Sequence, residues 1–305
     1  MVGKLVSVVM STYNEHLYLN RTISSILQQT YPNIEIVITD DGSTDGTQEI
    51  LMNYSHLDNV KVVYKEHTGN VGKNLNDCIK LSKGEVIAII GADDIWMRDK
   101  IKIQMEYLMN DKIVCSNGNV IDANDKVTFK FVNHFHKDLY IELEDLLKDD
   151  RILPSSVLAY RYVLEEAGLF DEISGNRSED YVLWLNVAHK YKIKYIDKVL
   201  ISYRVHGNNL SLRSFADREE LLLRNIEIIS PYLYNQDKRI VESAKYGLAT
   251  IYSKLTKLYY VNDRFVDSFQ YCKMLISTFQ RKLSFQYVKY LAFYFYVSLI
   301  QVFKR

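Results

Sequence analysis

The stretch IEIVITDDGSTDGT, residues 34–47, decides the fold. Ile34, Ile36, Val37 and Ile38 put apolar side chains on both faces of an extended chain, which suits a strand in a parallel sheet covered by helices on both sides. The run then breaks into DDGSTDGT, where Gly42 supplies a tight turn and Ser43 or Asp45 can cap the helix that follows.

Similar runs lie on either side: LVSVVM (5–10), VKVVY (60–64) and VIAII (86–90). Helical spacing fills the gaps at Leu17 to Gln29, with Ile23, Ile26 and Leu27 on one side, at Thr47 to Tyr54, and at Val71 to Leu81. Strand alternating with helix predicts a doubly wound α/β domain, in which ligands bind beyond the carboxyl ends of the strands. The segments to inspect are therefore STYNE (11–15), DDGSTDGT (40–47) and GADD (91–94). Residues 144–205 mix helix-like RYVLEEAGLF and YVLWLNVAHKY with strand-like VLISYRV. From about Phe215 apolar residues recur at helical spacing with one Gly and one Pro, predicting an all-helical extension that starts near the polar GNNLSLRS stretch.

The 305 residues, 48% of them apolar, can bury a substantial core. Lys plus Arg and Asp plus Glu both total 38, so the global field argues against a nucleic-acid or polyacidic partner, and any electrostatic function is local. Cys78, Cys115 and Cys272 match no zinc or disulfide spacing and suit a reducing compartment. The N-terminal apolar run is too short for a signal-peptide core, and no run reaches the roughly 18 to 20 apolar residues of a membrane-spanning helix, so a cytoplasmic location is expected.

Each strand exit carries candidate chemistry. Asp41 is left at a strand end, where its carboxylate can accept from a base N–H or a ribose hydroxyl; turn chemistry alone also accounts for this segment. Tyr13 offers a stacking face, with Ser11 and Asn14 as hydrogen-bonding neighbours, or STYNE is an ordinary helix start. In GNVGKNLND (69–77), backbone N–H groups and Lys73 suit a phosphate, or Lys73 is a solvated side chain at a helix start. Asp93 and Asp94 follow a buried strand and precede Ile95 and Trp96; two carboxylates there suit Mg2+ or Mn2+, which bind through one or two carboxylates plus substrate phosphates. SEDYVLWLNVA (178–188) puts Ser178 at a helix N-cap and Asp180 in the first turn, where the helix field is expected to keep it ionised. In YRVHGNN (203–209), Arg204 and His206 end another strand and suit a phosphate or a metal.

In this order the segments VSVVMSTYNEHLYLNRTISSILQQTYPNIEIVITDDGSTDGT, NVGKNLN, GADDIW, GLFDE, SEDYVLW and YRVHGNN resemble the family-2 glycosyltransferases of GT-A fold, over roughly residues 5–210. The resemblance implies a mixed, mostly parallel Rossmann-like sheet and an inverting transfer from a UDP-sugar. It implies a GT-A domain at 1–212, with a nucleotide-sugar half at 1–118 and an acceptor and catalytic-base half at 119–212, followed by the helical extension at 213–305. Ser11, Tyr13 and Asp41 then look like the nucleoside pocket, with Lys73 near the nucleotide. Asp93 looks like the metal carboxylate of the Asp-x-Asp motif, with Asp94 beside it, Asp180 like the catalytic base, and Arg204 and His206 like diphosphate or metal contacts. Mn2+ or Mg2+ is the implied cofactor. Gly91 departs from the pattern, because it stands where the family has the first acid of that motif.

Beyond Asp267 there is no acid, while Lys273, Arg281, Lys282, Lys289, Lys304 and Arg305 alternate with aromatic residues. Such helices suit the surface of an anionic membrane, the alternative being a terminal helix packed on its own domain. With the family resemblance this implies a peripheral enzyme at the inner face of a bacterial inner membrane. It would extend a lipid-diphosphate-linked sugar such as GlcNAc-diphospho-undecaprenol in O-antigen or capsule assembly. No motif specifies the donor; UDP-glucose is expected ahead of UDP-galactose and UDP-GlcNAc. The competing expectations are a nucleotidyltransferase, which would carry a glycine-rich basic loop after the first strand, and a nucleotide-sugar-binding protein without catalysis, for which Gly91 is the one hint.

Overall fold

The computed structural model describes residues 3–131, 137–173, 178–207 and 214–278. The first part of the chain alternates as its apolar runs require: β1 (Val6–Thr12), α1 (Leu19–Leu27), β2 (Ile34–Asp40), α2 (Thr47–Met52), β3 (Val60–Tyr64), α3 (Val71–Leu81) and β4 (Val86–Ile89). The chain continues through a short β5 (Ile95–Trp96), α4 (Lys100–Leu108), β6 (Ile113–Ile121), β7 (Val127–Lys130), β8 (Leu139–Ile141) and α5 (Leu143–Lys148). A 3-10 turn at Pro154–Ser156 leads to β9 (Leu158–Tyr160), α6 (Arg161–Glu166), α7 (Glu179–Ala188) and the long β10 (Ile193–Arg204). Three helices follow: α8 (Phe215–Ile229), α9 (Lys238–Val261) and α10 (Phe265–Thr278).

The strands form one mixed sheet in the order β3-β2-β1-β4-β9-β6-β10-β5, with β7 on β6 and β8 on β10. Pairing is parallel throughout β3-β2-β1-β4 and again between β6 and β10. β9 enters antiparallel between β4 and β6 and so joins the two parallel groups. Val6, Val8, Val9 and Met10 of β1 are all fully buried, because helices cover both faces of this central strand. Val6, Val8, Met10, Ile36 and Ile38 pack in one cluster with Leu19, Ile23 and Ile26 of α1. On the opposite face the α3 thiol Cys78 reaches back to the sheet, with its Sγ 2.9 Å from Thr39 Oγ1. Each such buried aliphatic side chain contributes about 1.5 to 3 kcal/mol, and the parallel strand exits are thereby aligned along one edge.

The chain divides into two compact units. The first comprises Met1–Glu142 and Arg151–Gly207 and holds the whole sheet; the second comprises Leu143–Asp150 and Asn208–Arg305. The helical unit thus includes α5, which falls within the 1–212 GT-A domain expected from the sequence, and α5 packs on α9. No helix among the described residues is long and apolar enough to cross a membrane. Of the cations expected to meet a membrane, Lys273 lies in α10, whereas Arg281, Lys282, Lys289, Lys304 and Arg305 lie outside the described residues.

Candidate active site

The exits of β1 and β2 are laced together. Asn14 adopts a left-handed backbone conformation with φ 55°, from which its N–H donates to Ser43 Oγ at 2.9 Å and its side-chain oxygen accepts from the Thr44 N–H at 2.9 Å. Glu15 N–H donates to Thr47 Oγ1 at 2.8 Å, and the His16 ring meets Asp45 at 2.7 Å. Burial pushes the Asp45 carboxyl up, but hydrogen bonds from Thr47 and His16 outweigh it and hold the group at about 2. Two loops predicted separately therefore form one rigid rim, with Ser11 half-buried at its base opposite Thr39.

Asp41 is 3% exposed and bonded to the loop after β3. Its carboxylate accepts from the Thr68 N–H (2.9 Å), Thr68 Oγ1 (2.8 Å) and the Gly69 N–H (2.9 Å). Those bonds, with Asn74, hold its carboxyl below the ordinary value against the upward push of burial. What it organises is the loop after β3, and that loop delivers His67 face-to-face onto Tyr13, with centroids 4.0 Å apart and planes at 22°. Tyr13 is 37% exposed, so the pair presents an accessible aromatic platform at the strand ends. Lys73, the third residue of α3, is exposed, and its backbone N–H is capped by Asn70 at 2.9 Å.

The acid loop after β4 separates its two carboxylates. Asp93 Oδ2 lies 3.1 Å from His206 Nε2, and this contact holds the imidazole pKa above its ordinary value. Asp94, 1% exposed, points into the protein, where Oδ1 accepts from the Arg204 N–H at 2.9 Å and Oδ2 accepts from Ser155 Oγ. Burial, then the neighbouring charge of Asp93, pushes the Asp94 carboxyl well up. Asp94 therefore does not match the expectation of a second metal ligand, since both its oxygens are engaged in the interior.

Arg204 departs from expectation in the same way. It is fully buried, with Nε donating to the Asp93 carbonyl (2.8 Å), Nη1 to the Asp122 carbonyl (3.0 Å), Nη2 paired with Asp125 (2.6 Å) and the guanidinium 4.5 Å above the Tyr18 ring. With its donors turned inward it braces the acid loop instead of reaching a diphosphate. The Tyr18 ring also meets His206, at 4.8 Å.

At the start of α7, Ser178 occupies the N-cap with φ 63° and makes no capping bond. Gly72 lets this end approach α3, since a Cβ there would meet the Asp171 carbonyl at 2.6 Å and Glu179 Cβ at 3.4 Å. Asp180 Oδ1 accepts from the Tyr181 N–H at 2.8 Å. The helix field alone favours an ionised Asp180, yet burial outweighs it and raises the Asp180 pKa. Glu179 is pushed up to about 8 by burial and by the charges of Asp180 and Asp171.

A profile of glycosyl transferase family 2 matches residues 7–165, over half of the chain, and spans every strand exit described above except that of β10. The chain belongs to glycosyltransferase family 2. Among the relatives of this glycosyltransferase is the putative teichuronic acid biosynthesis glycosyltransferase TuaG of Bacillus subtilis, 30% identical over 73% of this chain and 88% of that protein. Another is WfaP of Escherichia coli, a UDP-Glc:α-D-GlcNAc-diphosphoundecaprenol β-1,3-glucosyltransferase, 32% identical over 74% of this chain and 88% of that protein. In fold it is similar to Staphylococcus aureus TarS (residues 1–349) crystallised with UDP-GlcNAc, with a TM-score of 0.68 at 17% identity over 90% of this chain and 81% of that one. The glycosyltransferase accordingly has a GT-A-type α/β fold and is a nucleotide-sugar-dependent enzyme.

Family membership implies a divalent cation, and the donor set can be tested against one. Among the described residues no group of three or more His, Cys, Asp or Glu side chains is placed to hold a metal. Asp93 and His206 form a two-residue set facing the strand exits, which fits Mn2+ or Mg2+ completing its shell with diphosphate oxygens and water. Four side chains that line or brace the candidate site escape sequence inspection. His67 follows β3, and the strand-exit rule could have found it. Tyr18, Asp125 and Ser155 carry no local signal, because their importance comes from contacts across the fold.

Proposed function

We propose that this glycosyltransferase is an inverting hexosyltransferase that moves a sugar from a UDP-sugar, UDP-glucose first among the candidates, to a lipid-diphosphate-linked acceptor such as GlcNAc-diphospho-undecaprenol. The product is a β-glycoside in bacterial O-antigen or other surface polysaccharide assembly. The observation that carries this proposal is the pair of Escherichia coli relatives bearing that activity, WfaP and WfgD, the latter 29% identical over 77% of this chain and 89% of its own length.

In this proposal residues 1–118 hold the donor and 119–212 supply the acceptor side and the base. The uracil stacks on the Tyr13–His67 platform, with Ser11 at its base and Asp41 holding the platform through the Thr68–Gly69 loop. Lys73 faces the diphosphate. Asp93 and His206 would hold Mn2+ or Mg2+, which would supply charge neutralisation for the departing nucleoside diphosphate. Asp180 removes the proton from the acceptor hydroxyl as that oxygen attacks the anomeric carbon from the side opposite the leaving group, so an α-linked donor yields a β-glycoside. Its raised pKa brings it closer to the working pH, as a general base requires. Peripheral contact with the inner face of the inner membrane, through the cations that follow Asp267, rests on sequence.

The test is a panel of UDP-sugars offered, with and without Mn2+, to a GlcNAc-diphospho-lipid analogue, with anomeric configuration read by proton NMR. Transfer of one hexose with a β-anomeric product is expected. Neither transfer nor hydrolysis with any donor would make the chain a nucleotide-sugar-binding protein, and nucleotide transfer from a triphosphate would make it a nucleotidyltransferase.

A further inference from the structure

The loop Gly91–Asp94 is held by Thr22 of α1, whose Oγ1 lies 2.9 Å from the Ala92 carbonyl and 2.8 Å from the Asp94 carbonyl, and is gripped from two further directions. Ser155, 3% exposed in the Pro154–Ser156 turn, donates its hydroxyl proton to Asp94 Oδ2 and accepts from the Gly91 N–H at 2.8 Å. Its carbonyl accepts from Trp96 Nε1 at 2.8 Å. One residue from the turn before β9 thus bonds positions 91, 94 and 96. From the other side, Arg204 bonds the Asp93 carbonyl through Nε and the Asp94 carboxylate through its backbone N–H. Arg204 is held in turn by Asp125, which sits at φ 66° in the turn between β6 and β7 and pairs with both Arg204 and Arg21.

We propose that Ser155 and Asp125 are positioning residues for Asp93: Ser155 through Asp94 and Gly91, and Asp125 through Arg204, together fix the loop backbone so that the Asp93 carboxylate faces His206. This rests on Asp93 being the metal-side carboxylate, as argued above. The physical basis is the division of labour within the loop. Asp94, buried and bonded at both oxygens, is an anchor and not a ligand. With the backbone clamped on both sides of Asp93, its carboxylate is directed to His206. Partners that orient a metal ligand typically change metal affinity about 10- to 100-fold when removed.

The experiment measures UDP binding to the full chain by calorimetry across a Mn2+ titration and again in EDTA, for Ser155→Ala, Ser155→Thr, Asp125→Ala, Asp125→Asn and Asp93→Asn. Ser155→Ala and Asp125→Ala are expected to raise the Mn2+ concentration for half-maximal UDP binding about 10- to 100-fold while UDP binding in EDTA stays within about twofold. Ser155→Thr, which keeps the hydroxyl, is expected to recover most of the loss, whereas Asp125→Asn, which removes the charge that pairs with Arg204, is expected to behave like Asp125→Ala. A wild-type Mn2+ dependence in both alanine variants, with only thermal stability lowered, overturns the positioning role. Should Ser155→Ala fail to fold, Asp125→Ala decides, since its side chain lies in a partly exposed turn. Asp93→Asn separates the two levels. If it leaves Mn2+ dependence unchanged, the metal role of Asp93 falls and the positioning proposal with it; if it shifts that dependence while the Ser155 and Asp125 variants do not, only the positioning proposal falls.

Discussion

His206 and Asp93, 113 residues apart in the chain, meet at 3.1 Å between Nε2 and Oδ2, so the end of β10 closes over the end of β4. With Asp94 and Arg204 turned inward, this pair carries the metal-side chemistry of the proposed site. His206→Ala is expected to raise the Mn2+ concentration needed for half-maximal transfer at least about tenfold, the low end of what losing a supporting partner does to a metal site. Activity assays across a Mn2+ titration check this, and an unchanged requirement removes His206 from the site.

Asp180→Asn keeps the shape of the α7 start but cannot accept a proton. A placed general base is worth about 100- to 10,000-fold, so kcat is expected to fall by that factor while UDP affinity stays within about twofold. Near-normal turnover, or loss of UDP binding, in this variant would falsify the assignment.

Burial raises the Asp180 pKa, so the acid limb of kcat/KM is expected above the ordinary aspartate range near 4, with activity lost as pH falls through it. The adjacent Glu179 is pushed up to about 8 by burial and by the charges of Asp180 and Asp171. The stability effect has the opposite sign to that of a salt-bridged carboxylate. A folded pKa above the unfolded one means the native state binds more protons, so Glu179 costs increasing stability as pH rises from its ordinary value of 4.5 toward 8. The Tm advantage of Glu179→Gln over the wild type should be larger at pH 8 than at pH 5; an equal difference at both pH values contradicts the raised pKa.

Gly42 holds φ +77°, and a Cβ there would meet the His67 backbone nitrogen at 2.8 Å. Gly42→Ala combines a left-handed backbone penalty with a clash against backbone, so a loss of more than about 1 kcal/mol is expected. Because the clash displaces His67 from Tyr13, UDP affinity should drop as well, which calorimetry checks beside thermal denaturation. Stability lost with UDP affinity intact would detach the aromatic platform from nucleotide binding.

The sequence alone determined the order of strands and helices through β4 and the places where chemistry could sit. Runs such as VSVVM and IEIVIT are apolar on both faces, and that local pattern demands a covered parallel strand whatever lies elsewhere. The helix Val71–Leu81 has the same bounds in the structure as in its spacing, because Asn70 caps it locally. Tertiary structure decided which of those side chains face outward. Asp93 and Asp94 are adjacent and chemically identical, so nothing in GADD distinguishes them; Ser155 and Arg204, 61 and 110 residues further along the chain, draw Asp94 inward and leave Asp93 to His206. Arg204 was legible as a cation at a strand end, but Asp122, Asp125 and Tyr18 bury it as a brace. The field at the start of α7 was legible too, but the burial that raises the Asp180 pKa against it was not, because burial is a property of the packed fold.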